Sequence, residues 1–159
     1  MNSTFEQRLN TGNIGERLVK EWLGDVGYRI YSPENDGSHW CDIFAHDQLK
    51  QTLVACEVKN KDRMNLYNAT GISLKTLREY QNLEETHNLN VLLFFVDAFL
   101  KKIYYAPLKE LMEDYECDGK KYPNYKIARN IVLFPIDKME TIKILTDEEV
   151  MEIKESRLN

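Results

Sequence analysis

A short apolar stretch that ends in a carboxylate and an ammonium constrains this chain more than any other feature. Residues 53–59 have the sequence Leu-Val-Ala-Cys-Glu-Val-Lys, which predicts a strand. Strand side chains alternate between faces, so Glu57 and Lys59 share one side. Their spacing of about 7 Å lets both reach one phosphate-sized object at the end of the strand. This layout is typical of a catalytic centre, and an ion pair on a solvated face is the alternative.

A second carboxylate, Asp42, lies in a neighbouring apolar run, residues 40–45. Unpaired charge is costly to bury, so two carboxylates in apolar settings indicate a divalent cation. Carboxylate oxygens suit Mg²⁺ or Mn²⁺, which lower the pKa of bound water and neutralise a developing oxyanion. We therefore predict that Asp42 and Glu57 hold the cation while Lys59 steadies the attacking water or the phosphate. Hydrolysis of a phosphodiester follows from this set.

Two further polar residues lie on helix faces that should meet the sheet. Residues 13–26 carry apolar side chains at helical spacing, with Gly15 near the middle of the stripe. Glu16 would then border the metal pocket, because glycine allows close approach to the sheet. A capping box between Asn13 and Glu16 is the alternative. Gln81 lies in the apolar stripe of a later helix, where it would contact a phosphate or a metal-bound water, or else be a buried structural amide.

Composition limits the partners and the location of the protein. The chain has 159 residues, enough for one domain with its own core, and its net charge of −5 opposes a nucleic-acid partner. Its three cysteines lack metal-ligand spacing and are predicted to be reduced. No apolar run approaches the roughly 20 residues of a membrane span, and no signal-peptide pattern is present. We therefore expect a cytoplasmic protein without a membrane partner.

Four basic residues follow the predicted site in sequence and offer a local positive surface despite the acidic total. They are the candidate substrate-binding residues, with ordinary solvated charge as the alternative. They are Lys61, Arg63, Lys75 and Arg78.

Apolar runs bounded by turn formers predict strands along the chain. Their residues are 28–31, 40–46, 53–59, 91–96, 103–106 and 131–134. The first three form a meander after the first helix, because the link between the second and third is short enough for an antiparallel hairpin. The run at 91–96 is continuous, which is typical of a strand covered on both faces.

Helices separate several of these strands. A helix capped by Ser73 precedes the central strand and implies a crossover. Pro107 starts a short helix, and Thr146 with Glu149 forms a capping box before a charged C-terminal helix. Residues 114–125 are charged and rich in tyrosine, and we predict a plain loop there, with contact to substrate or a second subunit as the alternative.

In the order and placement of these motifs, the chain resembles the PD-(D/E)XK nuclease superfamily, and among its branches the Holliday-junction resolvases. The resemblance covers about residues 8–106. The matching motifs are Gly12-Asn13-Ile14-Gly15-Glu16 in the first helix, Gly27-Tyr28 at the first strand, Cys41-Asp42 in the second strand and Glu57-Val58-Lys59 in the third. Cys41 replaces the proline that often precedes the aspartate. The exonuclease branch's Gln-x-x-x-Tyr signature is incomplete, since Glu85 follows Gln81 at the tyrosine position.

The resemblance implies a restriction-endonuclease-like fold of the α/β (α+β) class. Its core would be a helix, a three-stranded meander, a crossover helix and further strands, in a mixed sheet with flanking helices. It further implies that Asp42 and Glu57 bind Mg²⁺ or Mn²⁺, that the Val58 carbonyl joins them, that Lys59 is catalytic and that Glu16 assists. The expected unit is one nuclease-like domain over residues 1–159, with its core at about 8–106 and a C-terminal extension at 107–159.

The expected function is metal-dependent hydrolysis of DNA by a structure-specific endonuclease, which would be a homodimer if it cuts two strands symmetrically. The main alternative is a catalytically silent nuclease fold that binds nucleic acid or protein, which the negative net charge favours. A third is a structural protein in which Glu57 and Lys59 form only an ion pair.

Overall fold

The computed structural model of the protein describes residues 3–32, 40–64 and 67–158, with the backbone alone for residues 3–13 and 158. The helices within these ranges are α1 (Ser3–Asp25), α2 (Leu74–His87), α3 (Leu108–Leu111) and α4 (Asp147–Leu158). The first six strands are β1 (Tyr28–Tyr31), β2 (Ile43–Asp47), β3 (Thr52–Asn60), β4 (Ala69–Ser73), β5 (Asn90–Asp97) and β6 (Lys102–Pro107). The rest are β7 (Asp114–Cys117), β8 (Lys120–Pro123), β9 (Lys126–Ala128), β10 (Ile131–Pro135) and β11 (Glu140–Ile144).

A six-stranded mixed sheet in the order β1-β2-β3-β5-β6-β11 forms the centre of the fold. Strands β1, β2 and β3 are the predicted antiparallel meander, and β2 and β3 form the predicted hairpin. Strands β3 and β5 are parallel, so the chain crosses over between them through β4 and α2. The predicted order of core elements is therefore confirmed.

Alternate residues of the central strands feed two separate cores, one on each face of the sheet. Leu92, Phe94 and Val96 of β5 pack in a cluster with residues of α1 and α4. Leu93 and Phe95 pack on the opposite face, in a cluster with residues of α2 and β10. Both faces of β5 are thus buried, as the continuous apolar run predicted.

Helix α1 begins ten residues earlier than predicted, at Ser3. Asn13 is therefore in the interior of the helix, and the interpretation of Asn13 and Glu16 as a capping box is wrong. Residues 3–12 contain no proline, so nothing in them stops the helix from propagating toward the N-terminus. At the other end, Gly27 has a φ of +93° and its N–H donates to the Gly24 carbonyl at 3.0 Å, which ends the helix.

The C-terminal extension holds strands that the sequence did not predict. The prediction of a plain loop at residues 114–125 is wrong, because β7 and β8 form a hairpin there. Its turn consists of Asp118 and Gly119, both with positive φ, which is the Asp-Gly signal of a two-residue hairpin turn. The strands escaped prediction because all their side chains are exposed, so no apolar alternation marks them.

The extension is also joined to the core. Strand β11 pairs with β6 at the edge of the main sheet, and β10 pairs with β4 and β9 in a smaller sheet. Helix α4 packs against α1 and starts with the predicted capping box: the Glu149 N–H donates to Thr146 Oγ1, and the Thr146 N–H donates to Glu149 Oε2. None of the described helices is both long and apolar enough to cross a bilayer.

Candidate active site

Asp42 lies immediately before β2 and is held against the neighbouring strand. The predicted strand at 40–46 begins only at Ile43, yet the Asp42 N–H still donates to the Cys56 carbonyl at 3.1 Å. Its carboxylate accepts a 2.7 Å hydrogen bond from the backbone N–H of Val58. The side chain is thus anchored to β3 at the residue between Glu57 and Lys59.

Glu57 and Lys59 share one face of β3 with Ala55, as alternation predicted, and this face is the one that α2 covers. The Lys59 ammonium forms an ion pair with Glu57 Oε1. The Glu57 side chain is 8% exposed and that of Lys59 is 37% exposed. The ion-pair alternative is therefore correct about the contact, but only the lysine of the pair is solvated, since its carboxylate is buried.

Tyr80 is the residue of α2 that completes this cluster. It is 4% exposed, and its hydroxyl lies within hydrogen-bonding reach of the Glu57 carboxylate. Burial and the nearby Glu57 charge both raise the pKa of Tyr80, so the phenol stays protonated and is able to donate to that carboxylate. Tyr80 was not among the predicted site residues. Its spacing from Leu77 and Leu83, the other buried residues of α2, marks it only as a core residue.

Burial and neighbouring carboxylates raise the affinity of Asp42 for protons. Burial and the charge of Glu57 raise the pKa of Asp42 to about 7, against the opposing effects of the Val58 N–H and of Lys59. Glu16 on α1 is near enough for its charge to raise that pKa further. Burial and the charges of Glu57 and Asp42 also raise the pKa of the Cys41 thiol, to about 12. A surplus of negative charge is therefore concentrated at this point.

A cavity of about 470 Å³ opens over these groups. Trp40 is at its edge, 63% exposed, with its ring centroid 5.2 Å from that of His87 at the end of α2. The lining residues are Trp40, Asp42, Glu57, Lys59, Thr76, Glu79, Tyr80, Asn82, Leu83 and His87. Sequence reasoning found the three charged residues on or beside β3, but not the aromatic pair, because Trp40 and His87 are far apart in the chain.

Neither Glu16 nor Gln81 is among the described residues that line this cavity. Glu16 is half-buried on α1 and pairs with Lys20 at 3.6 Å. The expected close approach of α1 is present, since a Cβ added to Gly15 would lie 2.5 Å from Asn60 Oδ1. Gln81 is also half-buried, but among the described residues α2 lines the cavity with its neighbour Tyr80 and not with Gln81.

The four basic residues lie outside the cavity, whose lining among the described residues contains none of them. The Lys61 ammonium donates to the Gly71 carbonyl at 3.3 Å, and the Arg63 guanidinium lies 5.9 Å from the centroid of the Phe99 ring. Lys75 and Arg78 are exposed on α2 and line an adjoining cavity of about 400 Å³. The two cavities share Glu79.

The carboxylate oxygens at the site suit a hard divalent cation as ligands. Among the described residues, no group of three or more His, Cys, Asp and Glu side chains is arranged to hold a metal ion. Asp42 and Glu57 nevertheless give two carboxylates facing one cavity, and Mg²⁺ commonly binds through one or two carboxylates while keeping several waters. The raised pKa of Asp42 reflects burial and the nearby charge of Glu57, and the charge of a bound cation would offset both. The residues therefore fit the expected ion.

Comparisons with known proteins agree with this fold. No family model matches the sequence, and no curated protein matches it. Among solved structures, the fold is similar to that of the Holliday junction resolvase of the archaeal hyperthermophile Archaeoglobus fulgidus, with a TM-score of 0.57 at 12% identity. The match covers 82% of this chain and 91% of the resolvase. The chain therefore has a restriction-endonuclease-like fold, as the resemblance of its motifs predicted.

Proposed function

We propose that this protein is a divalent-metal-dependent nuclease that hydrolyses phosphodiesters of DNA as a structure-specific endonuclease. The observation that carries the proposal is that Asp42, Glu57 and Lys59 line one cavity on the fold of a Holliday junction resolvase. A buried and a half-buried carboxylate beside an ammonium suit phosphodiester hydrolysis better than they suit stability, because removing their charges from water costs free energy. If the enzyme cuts two strands of a junction symmetrically, its active form is a homodimer.

In this proposal Asp42 and Glu57 hold Mg²⁺ or Mn²⁺, with the Val58 carbonyl as a further ligand. A cation held there would lower the pKa of a bound water and neutralise charge on the phosphate. Lys59, whose side chain is 37% exposed and lines the cavity, donates a hydrogen bond to the attacking water or to a phosphate oxygen. Tyr80 orients the Glu57 carboxylate through its hydroxyl. Glu16 assists from α1, and a role for Gln81 in contacting a phosphate stays a prediction.

The test is a cleavage panel of labelled linear, flapped and four-way DNA with Mg²⁺ or Mn²⁺. Lys59→Ala and Asp42→Asn should each lower the cleavage rate by about 100-fold or more, because each removes a group that stabilises the transition state. A chelator should abolish cleavage.

The matched control is Lys154→Ala, since Lys154 is an exposed lysine on α4 that lines none of the described cavities near the site. Circular dichroism should report that every variant is folded. Wild-type cleavage rates in folded Lys59→Ala or Asp42→Asn protein would refute the assignment.

A catalytically silent binding module remains the second candidate, and the net charge of −5 is the observation that favours it. A module of this kind would bind DNA without cleaving it. Titration calorimetry and thermal melts with Mn²⁺ distinguish the two: no heat and no thermal stabilisation, together with intact DNA binding, would support the module.

A further inference from the structure

A second and larger cavity, of about 600 Å³, lies outside the candidate active site. It is formed where the small β4–β10–β9 sheet meets the β7–β8 hairpin. Ala69, Leu133 and Pro135 contribute apolar surface from the paired strands β4 and β10. Tyr67 and Tyr115 contribute aromatic rings from the segment before β4 and from the hairpin. None of these residues belongs to the cavity that contains Asp42 and Glu57.

The aromatic rings are accessible and one of them is braced. Tyr67 is 53% exposed and Tyr115 is 47% exposed, both unusually open for rings beside an apolar surface. Tyr115 stacks on Tyr122 across the hairpin, with centroids 5.7 Å apart and an interplanar angle of 30°. This contact limits the rotation of Tyr115. The Tyr115 ring can therefore stack against a flat ligand with little further loss of side-chain entropy.

The cavity also carries a surplus of positive charge in an otherwise acidic protein. Lys126 and Lys138 line it, against the single carboxylate of Asp137. Neither lysine forms a salt bridge with another side chain of residues 14–32, 40–64 or 67–157. Lys75 and Lys59, by contrast, are both paired with glutamates. Unpaired lysines beside exposed tyrosines suit a ligand that has both anionic groups and flat rings.

The second cavity is connected to the candidate active site along the surface. The intermediate cavity at the start of α2 shares Glu79 with the active site and includes Asn130, the turn residue between β9 and β10. Ala128, the last residue of β9 and two residues before Asn130, lines the second cavity. Along β4, the distance from Ser73 to Ala69 is about 13 Å, which a few nucleotides span. One nucleic-acid strand can therefore reach all three cavities.

We propose that the second cavity binds an unpaired segment of the DNA whose scissile phosphate occupies the active site. Bases stack on Tyr115 and Tyr67, and phosphates contact Lys126 and Lys138. Stacking on tyrosine is tolerant of sequence, since every base has an aromatic face, and lysine contacts to phosphate are equally independent of sequence. The cavity therefore selects for single-stranded character next to the cleavage point. This inference rests on the proposed function and specifies its substrate.

The experiment measures affinity separately from cleavage. Fluorescence anisotropy with Ca²⁺ in place of Mg²⁺ compares a labelled duplex that has a single-stranded arm with a blunt duplex of the same sequence. The wild type should bind the armed duplex about tenfold more tightly. Tyr115→Ala should remove most of that preference, and Tyr115→Phe, which keeps the ring, should retain it.

A second variant keeps the test independent of the folding of the hairpin. The double variant Lys126→Ala/Lys138→Ala should also lose the preference for the armed duplex. The slope of log Kd against log salt concentration should become shallower by about 1.4 to 1.8, because two phosphate contacts are lost. Lys154→Ala on α4 is the matched control and should bind like the wild type. If Tyr115→Ala is unfolded by circular dichroism, the double lysine variant decides the question.

Equal affinity of the wild type for armed and blunt duplexes would overturn the proposal. So would a preference that survives in both the folded tyrosine variant and the lysine variant, as expected if the cavity binds a peptide or another protein. Failure of the proposed function is a different result, in which no DNA is cleaved with Mn²⁺ while the preference for the armed duplex and its loss in the variants persist.

Discussion

Each charged side chain of the candidate active site has a contact that limits its motion. Glu57 is bound by the Lys59 ammonium and faces the Tyr80 hydroxyl, and Asp42 is bound by the Val58 N–H. Buried carboxylates need such partners, since leaving one without them costs more free energy than the contact itself contributes. The same contacts fix the two carboxylates on one side of the cavity, where they can share a cation. Local stability and proposed chemistry therefore depend on the same few atoms.

Tyr80→Phe tests this dependence at a single atom. The change keeps the buried ring and removes the hydroxyl that donates to Glu57, so the free energy of unfolding should fall by about 1.5–3 kcal/mol, the value of a hydrogen bond to a charged group. Urea denaturation monitored by circular dichroism measures it. Tyr31→Phe on β1, where the side chain is 56% exposed, is the control and should change stability by less than about 0.5 kcal/mol. Equal stability of Tyr80→Phe and wild type would contradict the assigned hydrogen bond.

Among the elements, β4 shows most clearly how pairing depends on one residue. Gly71 pairs with Leu133 of β10, and a Cβ added to Gly71 would lie 2.0 Å from the Val132 carbonyl oxygen. This is a backbone atom, which cannot move aside without disrupting the small sheet. Glycine in a strand often marks such a close approach. The strand contains no apolar alternation, which is why the sequence did not reveal it.

Gly71→Ala should therefore lower the free energy of unfolding by about 1–3 kcal/mol, as overpacking in a close-packed region does. Gly24→Ala is the matched control, because no atom lies within 4 Å of a Cβ at that position on α1. Alanine there should stabilise the protein by up to about 1 kcal/mol through its higher helix propensity. Thermal and urea denaturation measure both changes. If both variants lowered the free energy of unfolding, or both raised it, the close contact at Gly71 would not explain the effect of Gly71→Ala.

At the scale of the whole molecule, the C-terminal helix α4 is tied both to the segment after β3 and to α1. Arg157 near the end of α4 forms two hydrogen bonds with Asp62, which follows β3, at 2.8 and 3.3 Å. Arg17 of α1 pairs with Glu152 of α4 at 2.7 Å. We infer that residues 107–159 belong to the same folding unit as the nuclease-like core, since β11 and β10 also pair with core strands.

The Asp62–Arg157 pair predicts a dependence of stability on pH. Burial by itself raises the pKa of Asp62, but the hydrogen bonds and charge of Arg157, with the Ala98 N–H, outweigh it and hold that pKa below its usual value. A carboxylate with a depressed pKa stabilises the fold above the pKa of the unfolded chain, about 3.9, and loses that contribution as pH falls through the folded value. Arg157→Ala should therefore be less stable than wild type at pH 7 and equally stable well below pH 3.9.

Both side chains of this pair are about one third exposed, so solvent screening limits the difference at pH 7 to about 1 kcal/mol. Denaturation curves between pH 2 and pH 8 measure it. Lys101→Ala, which breaks an exposed pair with Asp147, is the control and should differ little from wild type at any pH. A difference for Arg157→Ala that stays constant with pH would mean that lost packing, and not lost charge, causes it.

The sequence by itself determined the core elements and the charged centre. The alternation along β3 put Glu57 and Lys59 on one face, and the continuous apolar run of β5 predicted a strand buried on both faces. These signals are local, since strand geometry relates neighbours two residues apart without knowledge of the rest of the chain. Asp42 could be predicted because a charged side chain at the edge of an apolar run costs free energy to bury in any fold.

Only the tertiary structure decided what meets across the cavity. Tyr80 faces Glu57, and the Trp40 ring lies tilted against that of His87 with centroids 5.2 Å apart, although nothing in their sequence positions relates them. The small sheet and the exposed hairpin of the extension likewise form through pairing between distant or solvent-facing segments, which leave no periodic apolar pattern. Contacts of this kind depend on how whole elements pack, and the free energy of that packing is distributed over residues far apart in the chain.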